Sequence, residues 1–195
     1  MTAKHFSSLG DPELTRMLQQ GAVGILPTDT VYGLVAPALH RESVKRLYSL
    51  KQRKRQPGTT IAASVEQLHE AGFSLEELAR AAHYWPNAIS VEMTTFSIPD
   101  YLKKGQTHMA ARIPKDAAII QLLEQVGPLM TSSANTPKAP TSRTIGEAVN
   151  YFGDEVDFYV DAGDLGERPP STIIGFDEKG ETIVYRHGAV DIETR

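Results

Sequence analysis

Three short segments of the sequence carry side chains suited to an anionic or hydroxyl-bearing ligand. Residues 27–34 (PTDTVYGL) and 131–135 (TSSAN) supply hydroxyl, amide and carboxylate groups, and residues 51–55 (KQRKR) supply cations. Short hydroxyl and amide side chains with exposed N–H groups suit a phosphate or a ribose. Lys51 and Arg53 lie two apart, so in an extended segment both point the same way and suit a triphosphate. Each hydroxyl-rich segment also fits a turn that satisfies its own backbone.

A single arginine stands inside an otherwise apolar predicted strand. Arg112 lies in the segment MAARI at 109–113. A buried guanidinium without a partner is costly, so this side chain must face solvent, a carboxylate or an anionic group of a ligand. Two interpretations stay open from the sequence: a structural ion pair and the binding of a ligand's carboxylate.

The composition excludes several classes of protein. The 195 residues include no Cys, which excludes thiol catalysis, thiolate zinc sites and disulfides. The sequence lacks G-x-x-x-x-G-K-[ST], G-x-G-x-x-G, G-x-S-x-G and H-E-x-x-H, and its six His are dispersed, so we expect no protein-ligated transition metal. No apolar run approaches the roughly 20 residues of a membrane span, and we therefore expect a cytoplasmic domain.

Positive charge is concentrated in one segment of an acidic chain. The formal net charge is -4, yet residues 41–55 hold seven Lys or Arg and one Glu. This distribution argues against a uniformly basic nucleic-acid binder and leaves two interpretations open. The segment is either a local site for an anionic ligand or the solvated end of a helix, where cations are favourable.

The elements that must position these groups alternate between strands and helices. Helix N-caps are predicted at Asp11, Ser64, Ser74 and Thr144, of which the last three open capping boxes. The pattern predicts one α/β domain with a twisted mixed sheet, flanking helices and a concave cationic cleft. Further helices are predicted at 42–50 and 116–125, and strands at 22–26, 60–63, 88–94, 109–113, 128–132, 158–160, 172–176 and 182–186.

Taken in order, the motifs resemble those of the YrdC/TsaC family of threonylcarbamoyl-adenylate synthases. The resemblance extends from about Gly21 to Val190 and is closest to the short bacterial form with one domain, here 1–195 with a core of about 10–190. The matching segments are PTDTVYGL at 27–34, K-x-R at 51–53, ARIP at 111–114, SSAN at 132–135, ST at 171–172 and YRHGAV at 185–190.

The resemblance implies an enzyme, a nucleotidyltransferase. Its substrates would be L-threonine, bicarbonate and ATP, and its products threonylcarbamoyl-AMP and pyrophosphate, used for t6A modification at position 37 of tRNA. Mg²⁺ would be carried mainly by the ATP, and tRNA and proteins of the t6A machinery are candidate partners. Attack of a carbamate oxygen on the α-phosphorus needs alignment and charge stabilisation more than a covalent nucleophile. Because the intermediates hydrolyse readily, we expect a lid over the site, at residues 163–170.

The same resemblance assigns roles to individual residues. Lys51 and Arg53 would supply the catalytic positive charge. Threonine contacts would be Thr30, Arg112, Thr131 and Ser171, and nucleotide contacts would be Lys51, Arg53, His108, Ser133, Asn135, Thr141 and Arg186.

Two other functions fit parts of the sequence. An RNA-binding or ribosome-associated module of the same fold would use the cations of 41–55, although the rest of the chain is acidic. A carbamoyl-adenylate-forming protein that acts on carbamoyl phosphate would be accompanied by zinc-finger or acylphosphatase-like segments, and none is found in this sequence.

Overall fold

The computed structural model describes residues 2–52, 56–95 and 97–192. These residues form a ten-stranded mixed sheet in the order β1-β8-β2-β3-β7-β4-β6-β5-β9-β10. The strands are β1 Lys4–Phe6, β2 Gly24–Pro27, β3 Tyr32–Pro37, β4 Thr59–Ile61, β5 Ile89–Thr94, β6 His108–Arg112, β7 Leu129–Ser133, β8 Phe158–Val160, β9 Thr172–Phe176 and β10 Thr182–Arg186.

The helices begin where their capping residues predict. The side chains of Asp11, Ser64, Ser74 and Thr144 each accept a hydrogen bond from a backbone N–H of the following turn, which satisfies a donor that the helix itself leaves unpaired. The helices are α1 Pro12–Gln19, α2 Arg41–Leu50, α3 Val65–Glu70, α4 Leu75–Ala81, α5 Asp100–Lys103, α6 Ala117–Val126 and α7 Ile145–Phe152.

Apolar side chains cover the two faces of the sheet with separate clusters. Because side chains alternate along a strand, neighbouring residues of β3 belong to different clusters. Val35 packs with Leu18 of α1 and Leu123 of α6, whereas Leu34 packs with the larger cluster that includes Val44 of α2. Helices therefore flank the sheet on both faces.

Helices α1 and α6 cover only half of the sheet face that carries Val35. Thr59 of β4 lies directly between Thr131 of β7 and Ala110 of β6, and Ala110 in turn pairs with Glu92 of β5. These four residues share the face that α1 and α6 cover further along the strands. They lie beyond the apolar cluster, so the fold leaves part of a central sheet surface open.

The predicted α/β fold with one mixed sheet and flanking helices is confirmed, and most elements agree to within about two residues. Three elements were not predicted: β1, α5 and β3. The polar motif at 27–34 was interpreted as a loop throughout, whereas its second half begins β3 at Tyr32. Among the described residues, no helix is long and apolar enough to cross a membrane.

Candidate functional site

A cavity of about 510 Å³ lies over the open part of the sheet. Its wall includes residues of seven neighbouring strands, from β3 to β10. Most of its polar lining is hydroxyl. The lining residues are Thr28, Thr30, Val31, Gly33, Gln56, Pro57, Gly58, Thr59, Glu92, Ala110, Arg112, Thr131, Ser132, Ser133, Thr141, Pro170, Ser171, Ile173, Tyr185 and Arg186.

Arg112 is buried in the cavity wall as part of an ion pair. Its Nη2 lies 2.9 Å from Oδ1 of Asp29 and its Nη1 donates to Oγ of Ser90 at 3.3 Å. Its Nε has no hydrogen-bond partner among the described residues. Burial lowers the pKa of the guanidinium, and the charge of Asp29 opposes that shift. The structural ion pair considered from the sequence is therefore present, on a side chain that also borders the cavity.

Asp29 reaches Arg112 because residues 28–31 form a tight turn. The Thr28 hydroxyl donates to the carbonyl of Val31 at 2.6 Å and accepts from the N–H groups of Thr30 and Val31. The turn predicted to satisfy its own backbone hydrogen bonds is thus present, and it also places Thr30 on the cavity wall. Burial raises the pKa of the Asp29 carboxyl, although the Arg112 guanidinium acts in the opposite direction.

Hydrogen bonds fix the hydroxyl of Ser171 from two sides. Its Oγ lies 2.9 Å from Oγ of Ser90 and 3.2 Å from Nη2 of Arg186. Arg186 also donates from Nε and Nη2 to the Ser171 carbonyl, at 3.2 and 2.7 Å. The four residues predicted to contact threonine, Thr30, Arg112, Thr131 and Ser171, therefore all line the same cavity.

Lys51 lies beside the cavity instead of in its wall. It ends α2, and its Nζ donates to the carbonyls of Ser133 and Asn135 and to Oδ1 of Asn135, at 2.8, 2.5 and 2.7 Å. Only 5% of the residue is exposed. Lys51 was expected in an extended segment with Arg53, whereas the structure shows a buried C-cap of α2.

The other predicted nucleotide contacts divide into two groups. Ser133, Thr141 and Arg186 line the cavity. Asn135 adjoins it through Ser133, whose hydroxyl donates to Oδ1 of Asn135 at 2.7 Å. His108 is exposed at the start of β6, and its Nδ1 lies 3.0 Å from Oγ1 of Thr107. The prediction for Arg53 concerns a residue outside the described ones.

Several residues of the cavity wall were not predicted as site residues, Glu92 and Tyr185 among them. Glu92 is a half-buried residue of β5, and the alternation of polar and apolar residues over 88–94 is the signal that placed it on a polar face. Tyr185 is half-exposed at the rim, and its ring occupies the space that a side chain at Gly175 would fill. Because both Arg112 and Arg186 bond to protein oxygens and Glu92 is acidic, the predicted cationic cleft is not confirmed.

Carboxylate and imidazole groups do not gather into a metal site in the part of the chain that the structure describes. No group of three or more His, Asp or Glu there is arranged to hold an ion. Mg²⁺ carried by ATP therefore stays a prediction.

A single α/β domain with a hydroxyl-lined cavity over a half-covered mixed sheet defines the structural class of this chain. The model of the Sua5/YciO/YrdC family, described as telomere recombination, matches residues 16–188. The chain therefore belongs to that family, as its motifs indicated.

Relatives and solved structures agree with this assignment. The chain is 34% identical over 183 residues to a putative threonylcarbamoyl-AMP synthase of Mycobacterium tuberculosis, covering 90% of this chain and 82% of the relative. It is 31% identical to the threonylcarbamoyl-AMP synthase of Pseudoalteromonas translucida, covering 80% and 87%. Its fold matches E. coli YciO with a TM-score of 0.80 at 20% identity, covering 97% of both chains.

A second structural match comes from a longer protein. P. abyssi Sua5, solved in complex with L-threonine, matches with a TM-score of 0.82 and 24% identity. The match covers 96% of this chain and 58% of the Sua5 chain. This chain thus spans somewhat more than half the length of that Sua5.

Proposed function

We propose that this chain is an L-threonylcarbamoyladenylate synthase, a nucleotidyltransferase that joins L-threonine, bicarbonate and ATP into threonylcarbamoyl-AMP with release of water and pyrophosphate. The product would serve t6A modification of tRNA. The proposal rests above all on one observation, the hydroxyl-lined cavity with the Arg112 guanidinium in its wall. Membership of the family and the names of the relatives support it.

The wall formed by Arg112, Thr30, Thr131 and Ser171 matches the chemistry of threonine. A guanidinium in the cavity wall suits the carboxylate of the amino acid, because a charge-assisted hydrogen bond is stronger than a neutral one. The three hydroxyl groups suit the hydroxyl of threonine. The ion pair with Asp29 holds the guanidinium in place before the substrate arrives.

The nucleotide would occupy the end of the cavity nearest Ser133 and Thr141. There an oxygen of the threonine carbamate attacks the α-phosphorus and pyrophosphate leaves, a step governed by alignment and charge. We assign Arg53 to the triphosphate, together with Mg²⁺ that the triphosphate brings. Lys51 supports this end by holding the segment 133–135, and it reaches a phosphate only by exchanging a protein acceptor.

The segment 163–170 is our candidate lid. Tyr32 donates from its hydroxyl to the Gly163 carbonyl at 2.8 Å, and Arg143 lies 3.5 Å from Asp164 and from Glu167. Only Pro170 of this segment lines the cavity. Closure over the reactants would require release of the exposed Arg143 pairs, which are individually weak.

Pyrophosphate release, with threonine, bicarbonate and ATP omitted in turn, tests the function. We expect release only when all three are present. Arg112→Ala should weaken threonine binding by about 2–5 kcal/mol. Because that change leaves the buried Asp29 carboxylate without its ion-pair partner, the double variant Arg112→Ala/Asp29→Asn serves as the control for folding. Pyrophosphate release that does not depend on threonine would contradict the proposal.

An RNA-binding function is the second candidate, and a separate groove of about 670 Å³ favours it. Its rim holds Arg41, Lys45 and Lys104, and the groove also contains Tyr48 and Tyr101. Binding of tRNA that weakens steeply with salt, in the absence of ATP binding, would favour this alternative.

A further inference from the structure

We propose that Glu92 binds the α-ammonium group of the amino-acid substrate and thereby selects a free amine. This inference rests on the proposed function. Glu92 is the only acidic residue in the cavity wall among the residues that the structure describes. It is half-buried, and no described residue gives it a hydrogen bond or an ion pair. A carboxylate held at a ligand cavity without a protein partner is available to a cationic group of the ligand.

The position of Glu92 relative to Arg112 supports this assignment. Glu92 of β5 pairs with Ala110 of β6, and Arg112 lies two residues further along β6. Residues two apart point to the same face, and such diagonal neighbours in antiparallel strands lie about 7–8 Å apart. The hydrogen bond from Arg112 to Ser90, two residues before Glu92, confirms that the strands continue side by side. The Glu92 carboxylate and the Arg112 guanidinium are therefore neighbours in the cavity wall.

This arrangement is complementary to a zwitterionic amino acid. One carbon separates the ammonium from the carboxylate in such a ligand, so its two charges require two opposite charges placed close together. Arg112 supplies the positive charge. The other carboxylate nearby, Asp29, binds Arg112 at 2.9 Å and does not line the cavity, which leaves Glu92 for the ammonium.

The negative charge of Glu92 also opposes a polyphosphate in this part of the cavity. Ser133, the predicted nucleotide contact on β7, belongs to a strand that is not a neighbour of β5. A triphosphate near Ser133 is therefore not placed directly against the Glu92 carboxylate.

The test compares ligands with and without the amine. L-threonine and 2,3-dihydroxybutanoate, which has a hydroxyl in place of the amine, are titrated by ligand-observed NMR into the wild-type chain and into Glu92→Gln. Gln has nearly the same shape but no charge. We expect Glu92→Gln to lose at least tenfold in threonine affinity and to bind the hydroxy acid as the wild type does. Glu124→Gln, an exposed acid of α6, is the matched control and should bind both ligands normally.

Each other outcome overturns the inference. Unchanged threonine affinity in Glu92→Gln, while the wild type binds threonine and releases pyrophosphate, refutes the role of Glu92 and leaves the proposed function intact. An equal loss of both ligands shows that Glu92 does not recognise the amine. A rise in the KM for ATP with normal threonine affinity places Glu92 at the nucleotide instead. A wild-type chain that binds no threonine refutes the inference together with the proposed function.

Discussion

Single residues around the cavity hold one another in place before any ligand is present. Ser171 is fixed by Ser90 and Arg186, and Arg112 is fixed by Asp29. Such preorganisation reduces the cost of ordering side chains when a ligand binds. It also means that one side chain often serves both the fold and the site, so a single substitution changes two measurable quantities.

Lys51 is the clearest case of this dual role. Replacing it by alanine removes its hydrogen bonds to the Ser133 carbonyl and to Oδ1 of Asn135, and leaves the partly buried Asn135 carbonyl without its Lys51 donor. We expect Lys51→Ala to lower the free energy of unfolding by about 1–3 kcal/mol, the usual effect of an unsatisfied buried polar group. Urea denaturation measures it, with the exposed Lys45→Ala as the control, expected within about 0.5 kcal/mol of the wild type. Stability equal to that of the control would contradict the structural role.

At the scale of elements, hydrogen bonds hold residues 189–190, after β10, against residues 170–172 at the start of β9. The Ala189 N–H donates to the Pro170 carbonyl at 2.8 Å, and the Thr172 hydroxyl donates to the Val190 carbonyl at 2.5 Å. A Cβ at Gly188 would lie 2.2 Å from the Pro170 carbonyl oxygen. Only glycine therefore allows this close approach of two backbones next to Ser171.

Gly188→Ala should accordingly disturb both stability and binding. Because the clash is with backbone atoms, the segment must move, and we expect a loss of about 1–3 kcal/mol in unfolding free energy. Threonine affinity should fall as well, since Ser171 moves with Pro170. Gly146→Ala in α7, where a Cβ would make only an ordinary contact of 3.8 Å with Oγ1 of Thr144, is the control and should be neutral or slightly stabilising. If Gly188→Ala is destabilised but binds threonine with normal affinity, Ser171 does not contribute to threonine binding.

The elements also show what a sequence specifies locally and what it does not. Caps such as Ser64 and Ser74 were predictable because their hydrogen bonds close within three residues. Strand β1 was not, because three residues at 4–6 are a strand only through their pairing with β8. Glu92 was placed on a polar face, but its neighbours across the sheet depend on a strand order that local periodicity does not contain.

At the scale of the whole molecule, one sheet face serves two purposes. Its first part carries the apolar cluster under α1 and α6, and its second part is the floor of the cavity. Strands β4 and β7 pass through both parts, with Ile61 and Leu129 in the cluster and Thr59 and Thr131 at the cavity. A rigid, packed region thus anchors strands whose far ends must hold hydroxyl groups in a fixed arrangement for a small ligand.

This division predicts that the core and the site can be altered separately. Leu18 of α1 is fully buried in the apolar cluster and does not line the cavity. Leu18→Ala should cost about 2–5 kcal/mol of unfolding free energy through lost burial and a new void. Threonine affinity, measured at a temperature where the variant is fully folded, should stay within twofold of the wild type. Since the ladder pairs of β4 with β6 and β7 hold the cavity floor independently of α1, a parallel loss of affinity would mean that packing under α1 sets the spacing of the hydroxyl groups.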